Sequence, residues 1–226
     1  MHKRITTLLA VAALTLCLSG ATIAQTTPPP GAMTMPPPGA MTMPPPGAMT
    51  MATRDPSAAP EGTYRIDPDH QSVVARVSHR AMSFSVVRFG VRQGVLHWNP
   101  ANPSAITLDV TVDAKPFFAP IVYKMPPDGA PFLNVAKFPE ARFVSTAVHV
   151  KDGARAAIDG QLTLMGVTRP VVIDAELVGA GRSMNGTANI GFTGTMAVNW
   201  AEFSDQPMAR MAGKVTLMLD AEFLKD

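Results

Sequence analysis

Three groups of residues in this 226-residue chain have types and spacings that could support chemistry. Asp67, His70 and Ser72 supply an acid, an imidazole and a hydroxyl. These are the three types of a nucleophilic triad, but their closeness along one short stretch gives no reason for triad geometry. His79 follows the apolar side of an alternating stretch. Its ring reads either as a polar contact to a ligand head group or as a core or rim histidine bonded to backbone. Three Met-Thr-Met pairs, Met33 with Met35, Met41 with Met43 and Met49 with Met51, present six thioethers. Soft thioethers favour Cu(I), although no histidine or cysteine lies beside them and the ordinary reading is a repeat that simply expanded.

Other chemistry is excluded. Gly179-Ala180-Gly181-Arg182-Ser183-Met184 starts like a dinucleotide loop, but it lacks the third glycine and has strand signals on both sides. There is no Walker loop, Gly-x-Ser-x-Gly or EF-hand. His70, His79, His97 and His149 form no His-x-x-x-His, and His97 should face opposite Leu96 and Trp98, on the surface. The single cysteine, Cys17, rules out an intramolecular disulfide and any four-cysteine metal site.

The chain is organised in three parts. Lys3 and Arg4 precede an apolar run from Ile5 to Leu18, followed by Ser19, Gly20, Ala21 and Ala24. This is the layout of a secretory signal peptide over 1–24, too short in its apolar part to span a bilayer comfortably. It implies a periplasmic or secreted protein with no integral span after cleavage. Cys17 lies inside the run behind Leu16, which is not the small residue a lipoprotein site needs. Residues 28–51 are three copies of Pro-Pro-Pro-Gly-Ala-Met-Thr-Met, and 11 of the 22 prolines fall between residues 28 and 60. Triple prolines remove donors and favour polyproline II, so 25–60 reads as a disordered tether outside the fold.

Residues 61–226 form the folded domain. Without Lys3 and Arg4 the 19 basic side chains become 17, equal to the 17 acidic ones. That balance gives no global footprint for nucleic acid or an anionic membrane. The hydropathy period is two. Val73, Ala75, Val77, then Ile106, Leu108, Val110, Val112, and later Val215, Leu217, Leu219 alternate with polar neighbours. Turn signals at Asn99-Pro100, Asp152-Gly153, Gly166 to Pro170 and Asn185-Gly186 separate eight strands. These lie near 72–79, 86–98, 105–113, 141–150, 155–165, 170–179, 187–199 and 213–224. The long gap, 114–140, predicts a loop or short helix covering one end.

Sequential strands with short turns form an antiparallel meander, and closing it removes exposed edges. The fold class is therefore all-β, an eight-stranded antiparallel barrel, wide enough for packed side chains or one small ligand. The inward candidates for ligand contact are Val77, His79, Phe89, Leu108, Val110, Phe132, Phe143, Leu162, Leu164, Ile173, Phe192, Met196, Leu217 and Leu219. Ala75, Gly94, Gly191 and Gly194 are small enough to leave space. Phe117, Phe118, Tyr123 and Phe132 are candidates to line or cover the mouth.

Specific motifs add to this. Tyr64-x-Ile66-Asp67-x-x-His70-x-Ser72 with Val77-x-His79, Phe138-Pro139-Glu140-Ala141-x-Phe143-x-Ser145, and Gly160-x-Leu162-Thr163-Leu164-x-Gly166-Val167-Thr168-x-Pro170-Val171 resemble the opening, middle and signature hairpin of the YceI-like domain. The resemblance covers 62–226. It implies a lipocalin-like barrel that is exported and binds a polyisoprenoid chain such as a quinone or prenol inside, with no catalytic activity and no cofactor. Two segments depart from the family's pattern. Met125 to Leu133 lacks the Asp-x-His-Leu stretch, and Asn199-Trp200-Ala201-Glu202-Phe203-Ser204 replaces an Arg followed by an Asp-Phe-Gly-like turn. Both bear on the entrance. The expected function is an isoprenoid carrier; the alternative is Cu(I) handling by the Met-Thr-Met repeats with the barrel as a docking or lipid module. A homodimer through an exposed strand or apolar mouth is compatible with the composition.

Overall fold

The computed structural model describes residues 52–120, 126–183 and 185–226. The signal-peptide stretch lies outside the described residues, and so does Tyr123. The six thioethers considered for Cu(I), those of Met33, Met35, Met41, Met43, Met49 and Met51, lie outside them as well. Nine strands are present: β1 (Gly62–His79), β2 (Ser83–Phe89), β3 (Val91–Trp98), β4 (Thr107–Asp113), β5 (Glu140–Val150), β6 (Arg155–Leu164), β7 (Val167–Arg182), β8 (Ala188–Asn199) and β9 (Lys214–Lys225). The order is β2-β1-β3-β4-β5-β6-β7-β8-β9, every pairing is antiparallel, and β1 also pairs with β9. Eight strands thus close a barrel, and β2 is the extra one.

The expected second strand, 86–98, is split at Gly90. Both pieces lie on the same side of β1: β3 against residues 62–65 and β2 against residues 73–79. Between them β1 bulges against β9, from Ile66 to Gln71. Gln71 repairs the ladder there, its Oε1 accepting from the Val91 N–H at 2.9 Å. A second bulge, at Ser145 in β5, is repaired in the same way, since Ser145 Oγ accepts from the Leu108 N–H at 2.7 Å. Bulges bend and twist the strands that carry them, which curls a sheet toward closure.

The turns follow their local chemistry. Asp152 Oδ1 accepts from the N–H groups of Ala154 and Arg155 at the β5–β6 turn. The β6–β7 connection is only Met165-Gly166, both at positive φ (52° and 78°), as a primed two-residue hairpin requires. Pro170, expected in that connection, instead sits inside β7 opposite Gln161. The only α-helix among the described residues is α1 (Pro207–Ala212), between β8 and β9. The described part of 114–140 is loop, with turns closed by Gly129 donating to Pro126 and Phe138 donating to Asn134.

Two core clusters sit at opposite ends of the strands. One gathers Phe132, Phe143, Met165, Met196, Trp200, Phe203 and Ala209; the other gathers Ala59, Tyr64, Leu96, Trp98, Ile106, Ile190 and Phe223. The second cluster corrects the expected tether boundary, because residues 52–60 belong to the fold. Thr53 bridges to Ala180, Arg54 pairs with Glu176, and Ala59 is fully buried. Its carbonyl accepts from Trp98 Nε1 at 3.2 Å, and Pro60 O accepts from the Tyr64 hydroxyl at 2.6 Å. Proline kept this segment from reading as structure, yet Pro56 opens a 3₁₀ turn capped by Asp55.

Gly160, in the signature hairpin, is required by close approach. A Cβ there would lie 2.4 Å from the Phe143 ring and 2.7 Å from Val144 O. Gly160→Ala should cost about 1–3 kcal/mol by overpacking. Gly191→Ala, whose Cβ would meet nothing nearer than 3.5 Å, should shift stability by under about 1 kcal/mol. Urea denaturation of the two variants checks the contrast.

Candidate functional site: an apolar barrel cavity

Alternation along the strands turns one side chain in two toward the axis. In β1 these are Val73, Ala75 and Val77; in β9 they are Val215, Leu217 and Leu219, in direct register with them. The cavity they line has a volume of about 720 Å³. All fourteen inward candidates from the sequence, Val77 to Leu219, lie in its lining. No buried residue among those described is polar or charged. Several polar lining groups sit at strand ends instead. His79 and Arg80 lie at the β1–β2 turn, and Asp152 and Arg155 at the β5–β6 turn. All four are exposed. His79 is therefore a rim residue rather than an interior one.

The space comes from some of the small residues expected to leave it, but not all. Ala75 and Gly194 line the cavity. Gly94 does not; the missing side chain makes room for Ile66 and Phe223. Gly191 is likewise outside the lining.

The end beside α1 is closed by aromatic residues that sequence reading only half identified. Phe132 is buried and stacks on Trp200, with centroids 6.4 Å apart and planes 23° apart. Trp200 begins a 3₁₀ turn (Trp200–Glu202), and its Nε1 is buried without a hydrogen-bond partner. The two segments that depart from the family pattern thus meet at this end of the cavity. Met208 and Met211 of α1 also reach the lining. No signal for α1 was visible in a six-residue helix with a proline at its first position. Phe117 and Phe118, expected at the mouth or as a cover, are exposed and outside the lining.

The other candidate groupings do not assemble as catalytic sites. His70 Nδ1 donates to Asp67 Oδ2 at 2.9 Å, but Ser72 Oγ donates to Asp220 rather than to His70. The partner that sequence spacing could not reveal is Glu222, brought from β9. Asp67, His70 and Glu222 place their ligand atoms within 4.8 Å of one another on the outer surface, a spacing that a divalent cation could bridge. Gly179 to Arg182 is strand, part of β7. His97 is exposed, with Nδ1 3.0 Å from Thr63 Oγ1.

Comparison with known proteins places the chain among barrels of this kind. The YceI-like domain matches residues 64–223. A UPF0312 protein of Shewanella sp. strain W3-18-1 is 36% identical over 151 residues, covering 66% of this chain and 79% of the relative. Among solved structures, the YceI protein of Campylobacter jejuni is 20% identical at a TM-score of 0.51, covering 62% of this chain and 85% of its own. A polyisoprenoid binding domain from Saccharophagus degradans, implicated in plant cell wall breakdown, is 14% identical at a TM-score of 0.51, covering 72% and 98%. At these identities the structural likenesses speak to the fold.

The Asp67–His70 pair yields a measurable consequence. The hydrogen bond from Asp67 raises the His70 pKa above its ordinary value, and the same bond lowers that of Asp67. Asp67→Asn should bring the His70 midpoint down, as read by NMR titration of its ring protons. An unchanged midpoint would show that the pair does not form in solution.

Proposed function

Because the chain belongs to the YceI-like domain family, we propose that it is an exported, non-enzymatic carrier that holds an isoprenoid lipid in the barrel interior. The observation that carries this reading is the cavity, about 720 Å³, walled by methyl, methylene and aromatic groups along the length of the strands. That volume lies within the usual range for small-molecule sites, roughly 300–1,000 Å³. An isoprenoid offers methyl and methylene groups and little else along its chain. Burying about 300 Å² of such surface is worth roughly 7 kcal/mol at 25 cal/mol per Å², before the cost of ordering the chain. No interior charge has to be matched, so polar recognition falls to the ends, where His79, Arg80, Asp152 and Arg155 stand. The naming of one structural relative as a polyisoprenoid binding domain supports the ligand class. The basic, apolar and small-residue succession of 1–24 supports export.

Native mass spectrometry of the purified protein, followed by organic extraction, tests the reading. A stoichiometric isoprenoid is expected. A lipid-free protein that also fails to take up prenols and quinones would sink it. Leu217→Trp should push an indole into the cavity beside Ala75, its register partner on β1. It should weaken uptake about tenfold or more while the circular dichroism stays that of a barrel.

A further inference from the structure

The outer face of β1 and β2 differs from the rest of the barrel wall. The pairings Ser78 with Phe84, Arg76 with Val86, and Val74 with Arg88 put these side chains on one face. Their neighbours Val77, Ala75 and Val87 line the cavity behind it. The exposed phenylalanines of the described residues gather here: Phe84 at 54%, Phe117 at 63% and Phe118 at 57% exposure. Phe117 N–H donates to Arg88 O at 3.1 Å, and Arg88 N–H donates to Phe118 O at 2.8 Å, which fastens both rings beside β2. Met82, 81% exposed, stands at the hairpin tip, where Arg80 and Ala81 are held at positive φ. Single exposed apolar residues are ordinary, whereas a contiguous patch marks an interaction surface.

The charge on this face is as distinctive. Arg76, Arg80, Arg88 and Lys115 make no ion pair among the described residues. Elsewhere on the wall several cations are matched across strands, Arg92 to Asp113 and Glu140, Arg142 to Asp109, Lys151 to Asp174, although Arg169, Arg182, Lys214 and Lys225 also make no ion pair among the described residues. What sets this face apart is that residues 72–89 carry arginines and no acid. The acid that borders the face, Asp220, accepts from Ser72 and Thr193. The Arg76 guanidinium lies 4.2 Å from the Phe84 ring centroid, and that of Arg88 lies 5.0 Å from Phe117. Each of these two rings therefore carries a cation on its face.

We propose that this face, from β1 and β2 across to Phe117 and Phe118, is a docking surface for an anionic lipid bilayer. Rings of this kind enter the boundary between head groups and acyl chains, while the stacked guanidinium groups meet phosphate. Charge complementarity favours that occupant over a second copy of the chain. An isologous contact would bring two copies of the same arginine-bearing face together, and residues 72–89 hold no acid to match them. The face is continuous with the cavity rim, since His79 and Arg80 belong to the same hairpin. Docking does not depend on what the cavity holds, so it stands or falls separately from the carrier reading. Overall charge balance concealed the face because the compensating acids lie on other strands.

The test uses the full chain with Phe117→Trp as a local reporter, the native Trp98 and Trp200 being buried. Phosphatidylglycerol-containing vesicles should shift its emission to the blue, and brominated acyl chains in them should quench it. Added salt should weaken the response. Adding Arg76→Gln and Arg88→Gln should lower apparent affinity about fivefold for each arginine. Phe84→Trp repeats the reading from β2. Three results would overturn the proposal: no shift in either reporter at low salt, an equal response to neutral phosphatidylcholine vesicles, or a shift that follows protein concentration without vesicles.

Discussion

Closure of the sheet by β1 is the constraint on which the rest of the structure depends. This one strand supplies both sides of the seam, pairing with β9 along one edge and with β3 and β2 along the other. Antiparallel closure satisfies the backbone and leaves alternate side chains facing the axis. An interior built in that way, with no buried polar residue among those described, is apolar by construction. The cavity follows from closure and composition together, without any dedicated binding loop.

Closure also explains where the irregularities sit. The Ile66–Gln71 bulge of β1 lies opposite the break at Gly90, so the strand pairs with two pieces on one side and a bulged register on the other. Gln71 and Ser145 replace the backbone bonds that such bends remove. The same bend frees the edge of β2, which the Arg88–Phe118 bridge only touches. The exposed aromatic and arginine face is thus a by-product of how the barrel closes, and it falls beside the cavity rim.

The two ends are finished differently. Residues 52–60 plug one, with Trp98 bonded to Ala59 O. The other is covered by Phe132 stacked on Trp200 and by α1. The segments that build these ends are the ones hardest to read in sequence. Residues 52–60 look like the end of a proline-rich tail, and 126–133 and 200–212 have neither period two nor period 3.6. Their positions are set by aromatic packing against distant strands, which leaves no local periodic signal.

The sequence by itself determined the alternation, the strand count to within the split at Gly90, most of the turns and the family motifs. From alternation followed fourteen of the residues that line the cavity, since a strand shows its faces by its period. These signals are local, carried by neighbours two to five residues apart. Only the tertiary structure decided what depends on strands meeting across the seam. Glu222 reaches Asp67 and His70 from more than 150 residues away along the chain. Phe117 and Phe118 turn outward beside Arg88 rather than over the mouth. Each of these is a long-range pairing, fixed by barrel closure and invisible to any window along the chain.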